Sequence, residues 1–413
     1  MIFFYTLFIY FYGFLIRIVA LFNAKAKAWK NGRKNIWQSL ETTFTNNTSS
    51  IIWFHAASLG EFEQARPLIE KIKSQSNNHH KILITFFSPS GFEIMKDYEY
   101  ADYIFYIPLD TPKNARKFLD LIKPVYVFWV KYDLWFHHLQ EIQKRNIPCV
   151  LFSAIFRTDQ FMFKWYGKPF RKIIQNFTKI FVQDENSIDV LENNQITNVI
   201  NVGDTRFDRV KETSLSLVHL PQIANFQQDK KLFVIGSCWN KDLDVLIPFL
   251  THFENPLKII IAPHEIKENI LERIEEELPD CVRYSKITED KNFVDKKILI
   301  IDNIGMLSRI YAYADFAYIG GAFGEGLHNI LEPATFGVPI FFGDEYERFP
   351  EADELVEDGG AFSVSNAEEL ELYFDRLYSD EEKRKQVGQI CKNYVNNHTG
   401  GTEKIFRFFS KVS

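Results

Sequence analysis

Short apolar runs alternate with longer amphipathic stretches along most of the chain after residue 50. The apolar runs predict buried strands at residues 51–57, 81–87, 125–130, 149–154, 179–184 and 199–203. Apolar residues spaced three or four positions apart predict helices at residues 61–73, 112–122 and 132–145. Strands that alternate with helices form parallel sheets covered by helices on both faces, so the pattern predicts an α/β domain.

The same alternation begins again after a polar stretch around residues 212–230. It predicts a second set of strands at residues 231–236, 258–263, 297–302, 316–321 and 338–343. We therefore predict two Rossmann-like, doubly wound domains that face a central cleft. Open sheets of this kind bind ligands beyond the carboxyl ends of their strands. The predicted division is an apolar helix at residues 1–22, a first domain at 23–210 and a second domain at 211–413 that includes the C-terminal helices.

The N-terminal segment is the most apolar part of the chain. Arg17 is the only charged residue between residues 2 and 22, and the stretch is barely long enough to span a bilayer. Basic residues follow it, at Lys25, Lys27, Lys30, Arg33 and Lys34. This excess predicts that the body of the protein lies on the cytoplasmic side of a membrane. The helix could span the membrane or lie in its interface, and a buried amphipathic helix is the alternative.

Composition narrows the possible partners. The net charge is −6 and no long basic run occurs, which argues against nucleic acid. The four cysteines are scattered without a C-x-x-C pair, so neither a disulfide framework nor a zinc site is predicted, and a reducing cytoplasm fits. The 40 phenylalanines and 18 tyrosines indicate an aromatic core, except in the first two dozen residues, where they favour a lipid-facing surface.

A glycine-rich loop after the predicted strand at 316–321 is suited to a phosphate. Glycines let the backbone approach a ligand closely, and a helix N-terminus offers free N–H groups. Pro333 is tolerated only near the first turn of a helix, so the helix is predicted to start between Asn329 and Leu331. Glu332 would then lie where a carboxylate can accept hydrogen bonds from ribose hydroxyls. The alternative is an ordinary strand–turn–helix in which Glu332 only complements the helix dipole.

A second loop, at His55–Glu61, ends the first predicted strand. A sharp turn at Gly60 would place Glu61 at the mouth of the cleft, where a carboxylate could take a proton from an acceptor hydroxyl. The alternative is a capping box, in which Ser58 caps the next helix and Glu61 completes the motif.

Four segments carry a resemblance to a known family. HAASLGE (55–61), VGDTRFD (202–208) and IGG (319–321) followed by LHNILEP (327–333), together with the aromatic N-terminus, resemble the 3-deoxy-D-manno-octulosonic acid (Kdo) transferases of lipopolysaccharide synthesis. The resemblance covers nearly the whole chain in order. It implies a GT-B fold and an inverting transfer of Kdo from CMP-Kdo to the lipid A precursor at the cytoplasmic face of the inner membrane. It also implies that neither a metal nor a cofactor is needed.

The resemblance assigns roles to individual positions. Glu61 matches the general base, and Arg206 matches a basic residue that stabilises charge on the leaving phosphate. Lys131 stands where the family has an acid with a role in the transition state. The CMP contacts of the family fall on Pro263, His264, Ile304, Gly305, Met306, Gly320, Gly321, His328, Asn329, Ile330, Leu331 and Glu332.

The chain departs from the family pattern in two places. Lys131-Tyr132-Asp133-Leu134-Trp135-Phe136 replaces Glu-Thr-Glu-Leu-Trp-Pro, so the role of position 131 is open, although Asp133 retains an acid. Pro263-His264-Glu265 lacks the arginine of the usual Pro-Arg-His. Other functions are compatible with the fold: another GT-B enzyme that uses a UDP-sugar donor, a sugar-nucleotide epimerase, or a non-catalytic membrane adaptor.

Overall fold

The structure is a computed structural model that describes residues 1–75, 80–131, 133–215, 219–288 and 292–412. The chain divides into two compact units. The first comprises Met1–Arg209 and the C-terminal segment from Gly400, and the second comprises Val210–Thr399. The last helix therefore belongs to the first unit, whereas the predicted division placed all C-terminal helices in the second domain. Its apolar side chains explain this, because Ile405 and Phe409 are buried in the core of the first unit.

The first unit is built on a seven-stranded sheet in which all described pairings are parallel. The strand order is β3-β2-β1-β4-β5-β6-β7. The winding thus reverses between β1 and β4. The strands are β1 (Ser50–His55), β2 (His80–Phe86), β3 (Tyr103–Tyr106), β4 (Pro124–Val130), β5 (Cys149–Ala154), β6 (Lys179–Val182) and β7 (Val199–Asn201).

Helices cover both faces of this sheet. Alternate residues of β1 point to opposite sides, so that Ile51 and Trp53 join one core cluster whereas Ile52 and Phe54 join the other. The helices of this unit are α1 (Ile2–Val19), α2 (Ala24–Gly32), α3 (Ile36–Phe44), α4 (Leu59–Gln75), α5 (Pro89–Met95), α6 (Pro112–Ile122), α7 (Phe136–Lys144), α8 (Lys168–Gln175), α9 (Glu185–Glu192) and, at the end of the chain, α19 (Gly401–Val412). Helix α10 (Thr205–Leu215) contains the division between the units.

The second unit repeats this plan. Its seven strands follow the order β10-β11-β9-β8-β12-β13-β14, and the winding reverses between β8 and β12. The strands are β8 (Lys231–Cys238), β9 (Leu257–Pro263), β10 (Cys281–Arg283), β11 (Ile298–Ile300), β12 (Phe316–Ile319), β13 (Ile340–Phe342) and β14 (Ala361–Ser363). The helices are α11 (Pro221–Gln227), α12 (Asn240–His252), α13 (Glu268–Glu277), α14 (Leu307–Ile310), α15 (Leu331–Phe336), α16 (Pro350–Glu357), α17 (Ala367–Ser379) and α18 (Glu381–Asn397).

The predicted α/β architecture is confirmed, and the strands that the sequence missed lie at sheet edges. They are β3, β10 and β14, each three or four residues long. An edge strand pairs on one side only and buries fewer side chains, so its apolar run is short and the pattern is weak. The aromatic composition is explained largely by the cores. In the second unit, for example, the rings of Phe233, Phe249 and Phe316 all pack around Phe374.

Helix α1 has one face docked on the first unit and the other exposed. Ile9 and Gly13 are buried, and the hydroxyl of Tyr5 donates a 2.6 Å hydrogen bond to Asp110. By length and composition α1 could cross a membrane, although a signal sequence or a core helix can satisfy the same criterion. Its exposed apolar residues are Ile2, Phe3, Phe4, Leu7, Phe8, Tyr10, Phe11, Phe14, Leu15, Ile18 and Val19.

Candidate functional site

Glu61 lies directly after β1, beside the point where the first sheet reverses its winding. It occupies the first turn of α4, where its carboxylate accepts a 2.5 Å hydrogen bond from the backbone N–H of Ala57. The Ser58 hydroxyl accepts a long bond, 3.5 Å, from the N–H of Glu61. The capping contacts of the alternative interpretation are thus present. The predicted sharp turn at Gly60 is wrong, because Gly60 is an ordinary residue of the first helical turn without a positive φ.

The surroundings of Glu61 raise its pKa from 4.5 to about 7. Burial is the largest cause, and the negative charge of Asp133 adds to it. The N–H of Ala57 and the positive charge of Lys131 oppose the shift. A carboxylate with a pKa near neutrality can accept a proton and release it again at physiological pH, as a general base must. Capping and proton transfer are therefore compatible roles for this one side chain.

Lys131 and Asp133 follow β4, the strand that pairs with β1 where the winding reverses. Tyr132, between them, lies outside the described residues. Lys131 adopts a left-handed conformation, with φ of 55°, while its N–H bonds to the carbonyl of Phe152. Such a backbone is uncommon for a residue with a side chain. The structure thus brings the predicted Lys131 close enough to Glu61 for their charges to interact.

Arg206, the third residue predicted to be catalytic, is linked through Asp204 to the helix that carries Glu61. Its guanidinium forms a 2.7 Å salt bridge with Asp204, and Asp204 accepts a 3.3 Å hydrogen bond from Gln64. Gln64 lies three residues after Glu61 on α4. The guanidinium is one-third exposed, so it remains accessible to an anionic group.

A buried network at the end of β1 was not identified from the sequence. The indole N–H of Trp135 points at Nε2 of His55 across 3.1 Å, so that nitrogen must accept. Burial, together with the neighbouring His138, lowers the pKa of His55 to about 3, so the ring is neutral and carries its proton on Nδ1. Nδ1 then donates to the Thr85 hydroxyl at 2.9 Å. This network attaches the segment after β4 to the end of β1. Its residues are up to 80 positions apart in the chain, so no local sequence pattern could predict it.

In the second unit, the predicted nucleotide contacts lie at the carboxyl edge of one sheet. They lie at or beyond the ends of three of its strands, β9, β11 and β12. The loops after β8 and β12 flank the point where the winding reverses, which is where open α/β sheets bind ligands. The predicted residues there are Pro263, His264, Ile304, Gly305, Met306, Gly320, Gly321, His328, Asn329, Ile330, Leu331 and Glu332.

The glycines after β12 are required by their geometry. At Gly320, a Cβ would lie 2.3 Å from the carbonyl oxygen of Ser237. Gly321 has a φ of 100°, and a Cβ there would lie 2.2 Å from the carbonyl oxygen of Gly326. The N–H of Gly321 donates to the carboxylate of Asp242, at 3.1 Å, which fixes the loop to helix α12. Any side chain at these positions would displace the backbone.

Three rings stack beside this loop. The ring of His264 lies between Trp239 and His328, with a centroid distance of 4.3 Å to each. The indole N–H of Trp239 also donates to Nε2 of His328 at 3.1 Å. Burial and the neighbouring His264 lower the pKa of His328 to about 4, which keeps the ring neutral. The sequence had indicated both histidines but missed Trp239, whose position directly after β8 was the available signal.

Helix α15 begins at Leu331, within the predicted range, and Glu332 and Pro333 lie in its first turn. The Asn329 side chain accepts the N–H of Leu331 at 3.2 Å and lies 3.4 Å from the Glu332 carboxylate, to which it donates.

The third predicted contact, after β11, is an exposed turn. Ile304 is 94% exposed, and Gly305 has a φ of 96°. Met306 precedes helix α14. No group of three or more His, Cys, Asp or Glu residues that could hold a metal ion occurs within the residues that the structure describes.

Comparison with known proteins supports the resemblance. Residues 32–209 match the family model described as 3-deoxy-D-manno-octulosonic-acid transferase (kdotransferase). The 3-deoxy-D-manno-octulosonic acid transferase of Haemophilus influenzae is 26% identical over 374 residues, which cover 86% of this chain and 85% of that protein. The 3-deoxy-D-manno-octulosonic acid transferase of Rickettsia typhi is 28% identical over 346 residues, which cover 80% of this chain and 72% of that protein.

Solved structures agree on the fold. The UDP-GlcNAc 2-epimerase of Neisseria meningitidis has a TM-score of 0.61 at 17% identity, covering 88% of this chain and 100% of that one. MurG of Acinetobacter baumannii has a TM-score of 0.56 at 14% identity, covering 88% and 99%. At such low identity the likeness concerns the fold alone, and it confirms the GT-B class that the resemblance implied.

Proposed function

We propose that the chain is a Kdo transferase, a glycosyltransferase that transfers Kdo from CMP-Kdo to the lipid A precursor at the cytoplasmic face of the inner membrane. One observation carries the proposal. Glu61, in the segment HAASLGE, lies where the winding of the first sheet reverses and has a pKa near 7. A carboxylate in that state is suited to activating a hydroxyl group.

In the proposed reaction, Glu61 takes the proton of a sugar hydroxyl on the acceptor. The hydroxyl oxygen forms a bond to the anomeric carbon of Kdo while the bond from that carbon to the CMP phosphate breaks. CMP leaves with the bonding electrons, and the configuration at the anomeric carbon inverts. Arg206 and Lys131 carry positive charge that can stabilise the negative charge developing on the phosphate. No metal or cofactor takes part.

The second unit supplies the proposed donor site. The loop at Gly320 and Gly321 is the proposed phosphate contact, and Glu332, in the first turn of α15, can accept hydrogen bonds from the ribose hydroxyls. Pro263 and His264, Ile304–Met306 and the segment from His328 to Leu331 provide the remaining contacts with CMP. Their position at the carboxyl edge of one sheet supports this assignment.

Helix α1 is the proposed membrane attachment. Its docked face is bound to the first unit by polar contacts at Tyr5 and Thr6, which bond to Asp110 and His137. A helix held along a folded domain in this way favours an interfacial position over a spanning one, since the domain would otherwise have to enter the hydrocarbon. The basic residues after α1 would face the cytoplasmic leaflet.

The test is incubation with CMP-Kdo and the lipid A precursor, followed by mass spectrometry of the lipid. We expect a mass increase of one or more Kdo units, and the spectrum counts them. UDP-sugars offered in place of CMP-Kdo should give no product. Transfer from a UDP-sugar but not from CMP-Kdo would contradict the proposal.

The variant Glu61→Gln tests the base. It keeps the size and the acceptor for the N–H of Ala57 but cannot take a proton, so we expect transfer to fall about 10²- to 10⁴-fold. Glu63→Gln is a matched control on the same helix and should retain activity. Undiminished transfer by Glu61→Gln would remove Glu61 as the base and would also favour a non-catalytic role for this loop.

A further inference from the structure

A cavity of about 760 Å³ lies between α1, the α2–α3 segment and the start of α6, all within the first unit. Five cationic side chains line it: Arg17, Lys30, Arg33, Lys34 and Lys113. They come from three separate parts of the chain, so the concentration of positive charge is produced by the fold. None of the described residues that line this cavity is acidic.

Arg33 differs from the other four cations because its guanidinium is bound within the protein. Its guanidinium donates to the carbonyl oxygens of Phe87, at 2.8 Å, and Ile107, at 3.3 Å. It also lies over the ring of Trp29, 4.0 Å from the centroid. Arg33 therefore has its hydrogen bonds satisfied within the protein and holds α2 against the carboxyl end of the sheet.

The other four cations have no carboxylate partner among the ion pairs of the described residues. Asp110, the acid nearest to Lys113 in sequence, is engaged elsewhere, because its carboxylate accepts the backbone N–H groups of His137 and His138. Glu41, the acid nearest to Lys34 in sequence, pairs with Lys117. Helix α6 adds the positive end of its dipole, since its N-terminal residues Thr111 and Lys113 also line the cavity. Like charges gathered without a counterion repel one another, so the cavity favours an anion.

The cavity adjoins the apolar face of α1. Tyr10, Phe14 and Arg17 form one stripe of that helix at spacings of four and three residues, and all three line the cavity. Phe11 and Ile18, next to them on the helix, are exposed. An occupant would therefore meet cations at one end and an exposed apolar surface at the other. A molecule with an anionic head and apolar chains has that chemistry.

We propose that this cavity binds the phosphate headgroup of an anionic membrane phospholipid, with the acyl chains lying along the exposed face of α1. The site is separate from the proposed reaction, because Glu61, Lys131, Asp133 and Arg206 are not among its lining residues. The phospholipid is a bound partner that is not consumed. It fixes the first unit on the membrane surface in a defined orientation.

The experiment measures binding of the full chain to phosphatidylcholine vesicles with and without phosphatidylglycerol. The double variant Lys30→Gln/Lys34→Gln removes two charges from the cavity. Lys25→Gln/Lys27→Gln removes two charges from the same short segment, outside the lining residues. We expect the preference for phosphatidylglycerol to fall about tenfold more in the first variant than in the second, because only the first loses direct contacts with phosphate. Equal losses would indicate diffuse attraction and would overturn the proposal.

A second pair of variants lies on α6, away from the basic segment that follows α1, and leaves the charges of that segment unchanged. Lys113→Gln lies in the cavity, whereas Arg116→Gln lies one turn further along α6 and outside it. Only Lys113→Gln should weaken binding to phosphatidylglycerol, and an equal effect of both would contradict a built site. Thermal unfolding of each variant should match that of the parent chain, since these side chains have no ion pairs to lose.

The last measurement separates this site from the acceptor site. In neutral detergent without phospholipid, transfer from CMP-Kdo should have an unchanged KM for the lipid acceptor in Lys30→Gln/Lys34→Gln and in Lys113→Gln. A raised KM at unchanged kcat would show that the cavity holds the acceptor headgroup, and would overturn the assignment to a phospholipid. The vesicle measurements use no enzymatic activity, so they stand or fall independently of the proposed reaction.

Discussion

The carboxylate of Glu61 accepts a 2.5 Å hydrogen bond from the backbone N–H of Ala57. This bond stabilises the ionised form of the side chain, whereas burial and the charge of Asp133 favour the protonated form. The balance leaves the pKa near 7. A residue of the helix cap is thereby given the acid–base properties of a catalytic group, and this relationship leads to the first two predictions.

The pH dependence of transfer should respond in opposite directions to two substitutions. In the parent chain, kcat/KM should rise with pH to a plateau, with a midpoint near 7, because Glu61 must be ionised to accept a proton. Asp133→Asn removes a charge that raises the pKa of Glu61, so the midpoint should move to lower pH. Lys131→Gln removes a charge that lowers this pKa, so the midpoint should move to higher pH. A midpoint that stays fixed in both variants would exclude Glu61 as the group that titrates.

Glu61→Gln should stabilise the protein at high pH. The pKa of Glu61 is about 7 in the folded state and 4.5 ordinarily, so the folded state binds an extra proton between these values. Its contribution to the free energy of unfolding therefore falls as pH rises from about 4.5 to 7 and remains lost above 7. Above pH 7, the variant should gain up to about 3 kcal/mol in urea unfolding, because each unit of pKa difference corresponds to about 1.4 kcal/mol. Below pH 4.5 the gain should vanish, and a gain independent of pH would contradict the shifted pKa.

Trp239→Phe should weaken the binding of CMP. The phenyl ring can still stack on His264, but Nε2 of His328 loses its donor, which lies 3.1 Å away in the parent chain. A lost hydrogen bond costs about 1 kcal/mol, so the Kd for CMP in calorimetry should rise about fivefold. Trp165→Phe, at a fully exposed site of the first unit, is the control and should leave the Kd unchanged.

Gly321→Ala should disrupt the loop after β12. The new methyl group would meet the carbonyl oxygen of Gly326, and the positive φ would be strained. We expect a loss of about 2–4 kcal/mol in the free energy of unfolding, together with a loss of CMP binding. Gly359→Ala has a positive φ of 78° but open space around the added Cβ, so it should cost only about 1 kcal/mol. Equal costs for the two variants would mean that the contact with Gly326 has no energetic role.

Tyr5→Phe should loosen the docking of α1. It removes the 2.6 Å hydrogen bond to the buried Asp110, at a cost of about 1–2 kcal/mol in unfolding experiments. Tyr10→Phe, on the exposed side of the same helix, should cost less than about 0.5 kcal/mol. If both variants are equally stable, the bond between Tyr5 and Asp110 has no role in holding α1.

The sequence alone determined the class of fold, most of the central strands and the loops that carry the candidate site. Those features depend on local patterns: apolar runs for buried strands, glycines before a helix, and segments such as HAASLGE and LHNILEP that match a family. The two loops flanking each reversal of winding could be located in this way, because ligand sites follow the carboxyl ends of strands in such sheets.

Tertiary structure decided what depends on residues far apart in the chain. It brought Lys131 and Asp133 to Glu61 and so set a pKa that no sequence pattern encodes. It placed Trp239 against His264 and His328, and packed α19 on the first unit. It also gathered Arg17, Lys30, Lys34 and Lys113 around one cavity. Burial, charge interaction and packing act through space between segments, whereas periodicity and turn chemistry act along the chain, and only the latter can be read from the sequence.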